Sequence, residues 1–446
     1  MYSGYSVIIT RLTNILMLIL TGGLLLVINS YKVLFSFYII LSLILVFGFF
    51  SKHNIKGWYL GSLFIMLYTI PHFFYIYLYG ENLVIRSEEL QAIASSLPLN
   101  IYAIKLTILY ILSSYAGYSF FRKIDYRRRV SNEKFILKTS KLKKILLTIF
   151  ILSITLIAIF KIDFQAIKDS YKVGAGFSIL FGVFYITNFL IVYVFLIKKF
   201  KKWFFTMLLI VYVVILGYLG VRQVIFWLLL GLFFSYIFEV RHIKYKSVNY
   251  KKLLFYFIFF IIVSGVILSY RSSKVLDIDL DHLIHLIGFA YLWEASFTTY
   301  NFLASIELSK TADFFFMNDF FDVITLLIPS FIFPNKGDYL VLGQFSKMHN
   351  ITPFGTYFIL GELKLSMRYD ALIAFYAVSS SYISELFQSK AIKSKDLLLI
   401  TLYSFFLVFI FIYPVRGTIP SGIKIFFMFN FLIYFLIKYK FIIRKI

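Results

Sequence analysis

Runs of about twenty apolar residues recur along nearly the whole chain, and this recurrence constrains the fold more than any single motif. A helix of that length covers the ~30 Å of hydrocarbon in a bilayer. Backbone crossing hydrocarbon must satisfy its own N–H and C=O groups, which leaves helices and closed barrels. The runs are continuously apolar rather than alternating with a period of two, so a transmembrane barrel is excluded. Composition agrees: 61% of the 446 residues are hydrophobic and 15% are charged, where a soluble domain carries about 25% charged residues. The expectation is an all-α polytopic membrane protein, with residues 1–446 forming a single integral membrane domain.

Twelve spans are read at roughly 10–28, 32–50, 58–79, 100–121, 145–161, 177–197, 203–220, 223–239, 253–270, 369–387, 397–414 and 423–440. The first run is followed by Asn29-Ser30-Tyr31-Lys32, not by a small-residue cleavage site, so no cleavable signal peptide is expected. The segment 122–144 carries ten Lys or Arg and is assigned to the cytoplasm, since short cytoplasmic loops concentrate basic residues. Alternation then puts 51–57, 198–202, 240–252, 388–396 and the tail from 438 on the same side. With 122–144, these segments hold 28 of the 45 basic residues. Both termini are expected in the cytoplasm.

The net charge of +24 is therefore a topology signal, which also suits anionic lipid head groups. No soluble segment interleaves aromatic and basic residues as a nucleic-acid stacking platform would, and no nucleic-acid partner is expected. Cysteine is absent, which excludes a disulfide framework, a thiolate nucleophile and a Cys-ligated metal.

The long segment 271–368 is the expected large outer loop. Within it, 283–305 and 319–333 are apolar enough to form interfacial or re-entrant helices, broken by Glu294, Asn301, Asp319, Asp322 and Pro329. Irregular backbone at that depth is tolerated against protein or a watery cavity. If both cross fully, the count becomes fourteen. No internal repeat is visible, so the inverted-repeat signature of many transporters is missing. The stretch from Pro329 to Arg368 is the longest with sustained polar character between apolar runs, and its Pro and Gly density gives a shaped loop. It is read as the roof of an active site.

Four cations stand out on the outer side: Arg222 in Gly220-Val221-Arg222-Gln223, Arg271 in Tyr270-Arg271-Ser272, Lys336 after Pro334-Asn335, and Arg416 in Pro414-Val415-Arg416-Gly417. A guanidinium near the membrane centre costs about 2.5–3.5 kcal/mol on insertion scales, less toward the interface. Nothing about folding a tight corner requires one. Snorkelling to phosphate head groups is the plain structural use. A diphosphate is the functional one, because guanidinium forks bind phosphate oxygens in bidentate fashion. Fixed cations also stabilise charge that grows on a departing diphosphate, in place of a divalent metal.

Candidate bases are Glu362, beside a span start, and His349, in Lys347-Met348-His349-Asn350, with Glu294 a third. Each could equally be a hydrogen-bonded structural residue. Asp277, Asp279 and Asp281 lack the Gly and distal Glu of an EF-hand loop. His282 and His285 lack a third ligand at zinc spacing. No metal site and no cofactor is assigned. No Walker loop, GxSxG or HExxH occurs.

Ile328-Pro329, then Phe333-Pro334-Asn335-Lys336, then Thr352-Pro353-Phe354-Gly355-Thr356 and Gly361-Glu362, followed by a span, resemble bacterial O-antigen polymerases of the Wzy type. The Gly-x-Arg corner at 220–222 and the late Arg416-Gly417 are similar to the same family, and the likeness covers roughly 200–425. The chain departs from the pattern where Gln223 follows Arg222 and Gly337 follows Lys336.

The resemblance implies a GT-C-like, metal-independent membrane glycosyltransferase. It would polymerise undecaprenyl-diphosphate-linked repeat units at the periplasmic face of the bacterial inner membrane, which would make 271–368 a large periplasmic loop. Arg222, Arg271, Lys336 and Arg416 would hold the diphosphates, and Glu362 or His349 would take the acceptor proton. Asn335 and Thr356 would orient sugar hydroxyls, and Trp293 would stack on a ring. Implied partners are a flippase, a chain-length regulator and a ligase. The alternatives are an O-antigen ligase, with the same donor and similar cations, or a lipid-linked oligosaccharide flippase or other transporter. A transporter would be expected to carry more charge inside its spans.

Overall fold

Every regular element among the described residues of the computed structural model is helical. The structure describes residues 27–50, 56–79, 88–121, 177–197, 202–218, 221–240, 295–296, 298–310, 318–328, 339–340, 358–415 and 417–442, with isolated positions 23, 148 and 333. Four helices, Gly57–Tyr79, Leu97–Ser119, Leu397–Val415 and Ile419–Tyr439, are long and apolar enough to cross a membrane. Shorter apolar helices cover Tyr31–Val46, Phe181–Ile197, Phe205–Gly217 and Gln223–Phe238. The protein is a helical membrane protein. The loop 122–144, the span expected at 253–270 and most of 271–368 lie outside the described residues.

Contacts divide the chain into two compact units. The first comprises Met1–Asp125, Leu292–Ser389 and Phe409–Ile423. Its core joins Leu34, Phe35 and Tyr38 to Ile65 and Phe73, to Ile104 and Ile108, and to Phe302, Leu360 and Ile373. Lipid tails are as apolar as these side chains, so helices associate in a membrane by close packing and interhelical hydrogen bonds. Both are present. Gly61 lies against Phe411, and Gly117 lies so close to the Val378 carbonyl that no Cβ could fit. The Tyr31 hydroxyl donates to the Phe73 carbonyl at 2.6 Å, and the Thr299 hydroxyl to the Tyr68 carbonyl at 3.1 Å.

The second unit comprises Tyr126–Tyr291, Lys390–Val408 and Lys424–Ile446. Asn188 is fully buried in the helix Phe177–Ile197 and donates to the Val224 carbonyl at 2.9 Å, while the Tyr212 hydroxyl donates to its amide oxygen at 3.0 Å. One polar side chain thus ties three helices. Ser235 donates to Ser404 at 2.8 Å, and Gly231 admits the Phe405 ring.

Two elements go beyond the sequence expectation. The segment 80–99 contains an eight-residue helix, Glu88–Ser95. The helix Asp370–Ser394 runs past the expected end at 387, because Glu385 and Gln388 interrupt the apolar run without interrupting the helix.

Candidate functional site

The short helix Ile359–Met367 is the part of the polar stretch that the structure describes best. It begins after Phe358 in extended conformation (φ −132°, ψ 129°), with no side-chain cap on its first amides. Gly361 is what lets the helix lie flush on the segment 298–310: a Cβ there would run into Ser305 and the backbone of Phe302. One residue on, Glu362 is only 1% exposed. A carboxylate in the first turn is favoured by the positive end of the helix. Both oxygens of Glu362 accept the backbone N–H of Ile419, at 3.1 and 3.0 Å.

That contact completes the start of the helix at Ile419. The first amides of a helix have no partner within it, and each is accounted for here. Ile419 donates to Glu362, and Pro420 has no N–H to satisfy. Ser421 donates to the Thr418 hydroxyl at 3.2 Å, as a Thr N-cap allows, and Gly422 donates to the Thr418 carbonyl at 3.0 Å. The corner before it is equally determined. The preceding helix widens into a π turn at Leu407–Ile412, tightens into a 3-10 turn at Tyr413–Val415, and closes with the Gly417 amide on the Tyr413 carbonyl at 2.7 Å. Gly417 is required there, because a Cβ would overlap the Tyr413 ring.

The other end of the 359–367 helix carries a second polar cluster. Lys364 Nζ donates to Asp370 Oδ1 at 2.7 Å, to the Tyr102 hydroxyl at 2.5 Å and to the Arg368 carbonyl at 2.8 Å. The Tyr102 hydroxyl donates to the same Asp370 oxygen at 2.5 Å. Arg368 ends the helix with φ 58° and ψ −49°, a strained conformation for a residue with a side chain. The lysine grip on its carbonyl helps to hold it there. Sequence reasoning passed over Lys364 and Asp370. The available signal was a lysine and an aspartate straddling the point where a short apolar helix gives way to a long one.

Of the residues expected at the site, Glu362 is described in full and Arg222 by its backbone. Arg222 opens the helix Arg222–Phe238 immediately after Val221, whose amide donates to the Leu216 carbonyl at 2.9 Å. The helices Lys202–Tyr218 and Arg222–Phe238 are separated by three residues. Trp293, Glu294, Arg271, Asn335, Lys336, His349, Thr356 and Arg416 lie outside the described residues. So do the acidic and histidine residues of 277–285. Among the described residues no group of three or more His, Cys, Asp or Glu could hold a metal ion. No family model, curated protein or solved structure matches this chain.

Proposed function

We propose that this chain polymerises lipid-diphosphate-linked oligosaccharide repeat units by glycosyl transfer at the outer face of the bacterial inner membrane. The observation that supports this most is the Glu362–Ile419 contact. Glu362, in the Gly361-Glu362 signature that resembles the polymerases, accepts the backbone N–H of Ile419, three positions after Arg416, in a buried hydrogen bond across 57 positions. In the reaction, the bond from the donor glycan's anomeric carbon to the phosphate oxygen breaks, and its electron pair leaves with the lipid diphosphate. A sugar hydroxyl of the acceptor unit forms the new bond, and its proton passes to a base. Arg222, Arg271, Lys336 and Arg416 are the cations assigned to diphosphate, with Asn335, Thr356 and Trp293 assigned to sugar.

The base role falls to His349. Glu362 has both oxygens turned to one backbone amide inside the protein, which suits an anchor better than a proton acceptor that a sugar must reach. The test is to incubate the purified protein with synthetic undecaprenyl-diphosphate repeat units. Products lengthened by whole repeats are expected, and single units left unchanged would refute the reading.

A second reading, a lipid-linked oligosaccharide flippase, is favoured by one observation, the buried pair of Lys56 and Glu385. Glu385 lies within the helix Asp370–Ser394, and a buried ionisable residue within a membrane helix commonly marks a transport path. Vesicles that move fluorescent lipid-linked glycan between leaflets, with no lengthening, would support it.

A further inference from the structure

We infer that Glu362 is a positioning residue, which fixes the Arg416 corner by clamping the backbone at Ile419. The inference rests on the polymerase reading for its catalytic consequence and on geometry alone for the contact. Arg416 follows the 3-10 turn Tyr413–Val415 and precedes Gly417, Thr418 and Ile419. The corner is held on its N-terminal side by the Gly417 amide on Tyr413 and on its C-terminal side by Thr418 capping Ser421. Both of these are local contacts and would travel with the corner if it moved. The Glu362 carboxylate ties it by a hydrogen bond to a different part of the chain, across 57 positions. Gly361 sets the depth of that tie, since a Cβ there would press on the Ser305 side chain and come within 3.3 Å of the Phe302 Cα.

The consequence is a division of labour. A guanidinium that stabilises a departing diphosphate must sit where the charge develops, and a displacement of about 1 Å in such a group costs on the order of 100-fold in rate. Glu362 then affects turnover without touching substrate. It does so as a hydrogen-bond acceptor, a role that Gln fills through its amide oxygen and Ala does not.

The test compares Glu362→Gln and Glu362→Ala by two readouts. The first is elongation of synthetic lipid-diphosphate repeat units, with kcat, KM and the pH profile measured separately. The second is hydrogen–deuterium exchange of the segment 413–424 in full-length protein in nanodiscs, which needs no activity. Expected for Glu362→Ala is faster exchange confined to 413–424 and a fall in kcat of about 100-fold. Expected for Glu362→Gln is near-native exchange, most of the activity, and an unaltered pH profile. If Glu362→Gln is as inactive as Glu362→Ala, or loses the acidic limb of its pH profile, while exchange stays native, Glu362 is a base and the inference is overturned. Should Glu362→Ala not fold, Glu362→Gln decides by the same two measurements. Wild-type protein that elongates nothing would refute the polymerase reading, and exchange would still decide the clamp.

Discussion

Lys56 and Glu385, 329 positions apart in the chain, meet at 3.4 Å with side chains only 8% and 2% exposed. Lys56 also lies over the Tyr118 ring, 3.2 Å from its centroid, so the ammonium is held between a carboxylate and an aromatic face. Removing one partner of such a pair strands the other charge away from water, which costs about 3–5 kcal/mol, whereas replacing both with apolar residues of similar volume is close to neutral. Glu385→Ala and Lys56→Ala should each lower the thermal unfolding temperature sharply in detergent. The double variant Lys56→Met with Glu385→Met should recover most of the loss. Equal destabilisation by single and double variants would show that packing, not charge, holds the two helices there.

Gly117 predicts a purely steric effect. Its position against the Val378 carbonyl leaves no room for a side chain, and the obstacle is backbone that cannot rotate aside. Gly117→Ala should force the helices Leu97–Phe121 and Asp370–Ser394 apart, with a loss of about 1–3 kcal/mol, as for overpacking in a core. Gly23→Ala, where nothing lies within 4 Å, is the matched control and should leave unfolding unchanged.

These two contacts also mark how far the sequence could be read. Hydropathy placed two of the described helices closely: the expected spans 58–79 and 177–197 coincide within a residue with Gly57–Tyr79 and Phe177–Ile197, while 253–270 and most of 10–28 and of 145–161 lie outside the described residues. Length and apolarity are local properties, so each span is legible alone. Pairing is not local. Lys56 counted as one more basic residue of a short cytoplasmic loop, and nothing near it in the sequence announces a carboxylate in a distant helix. Glu362 was legible as a functional candidate because a carboxylate beside a span start is unusual. Its partner was not, because a backbone amide has no sequence signature. Gly361 and Gly417 did stand out within short motifs, yet only the neighbouring Ser305 and Tyr413 explain why glycine is needed.

Asp396 gives a pH dependence. It precedes the helix that starts at Leu397, is 8% exposed, and accepts the Leu398 amide at 2.9 Å. Burial pushes its carboxyl above the ordinary value, opposed by the Leu398 and Leu399 amides and by Lys438. The folded protein therefore holds this proton more tightly than the unfolded chain. The stabilisation is fully present below the ordinary carboxylate value of ~3.9 and is lost as pH rises through the raised folded value. Asn caps a helix as well as Asp does and carries no charge. Asp396→Asn should match wild type in acid and become the more stable protein as pH climbs toward neutrality. A stability difference that stays constant across unfolding curves from pH 4 to 8 would contradict this.

The cations of the proposed site make the sharpest prediction about activity. Arg416 and Arg222 are assigned to phosphate oxygens through a planar fork, which a lysine ammonium cannot reproduce even though it keeps the charge. Arg416→Ala and Arg222→Ala should each abolish long-chain lipopolysaccharide ladders in cells while single-unit capping persists, since the ligation step would use another enzyme. Arg416→Lys separates fork from charge: if bidentate contact matters, it should recover less than about a tenth of the lengthening activity. If head-group snorkelling is the whole role of these residues, lysine serves equally well. Normal ladders from both Ala variants would then remove the diphosphate clamp, leaving the fold and the Glu362–Ile419 contact untouched.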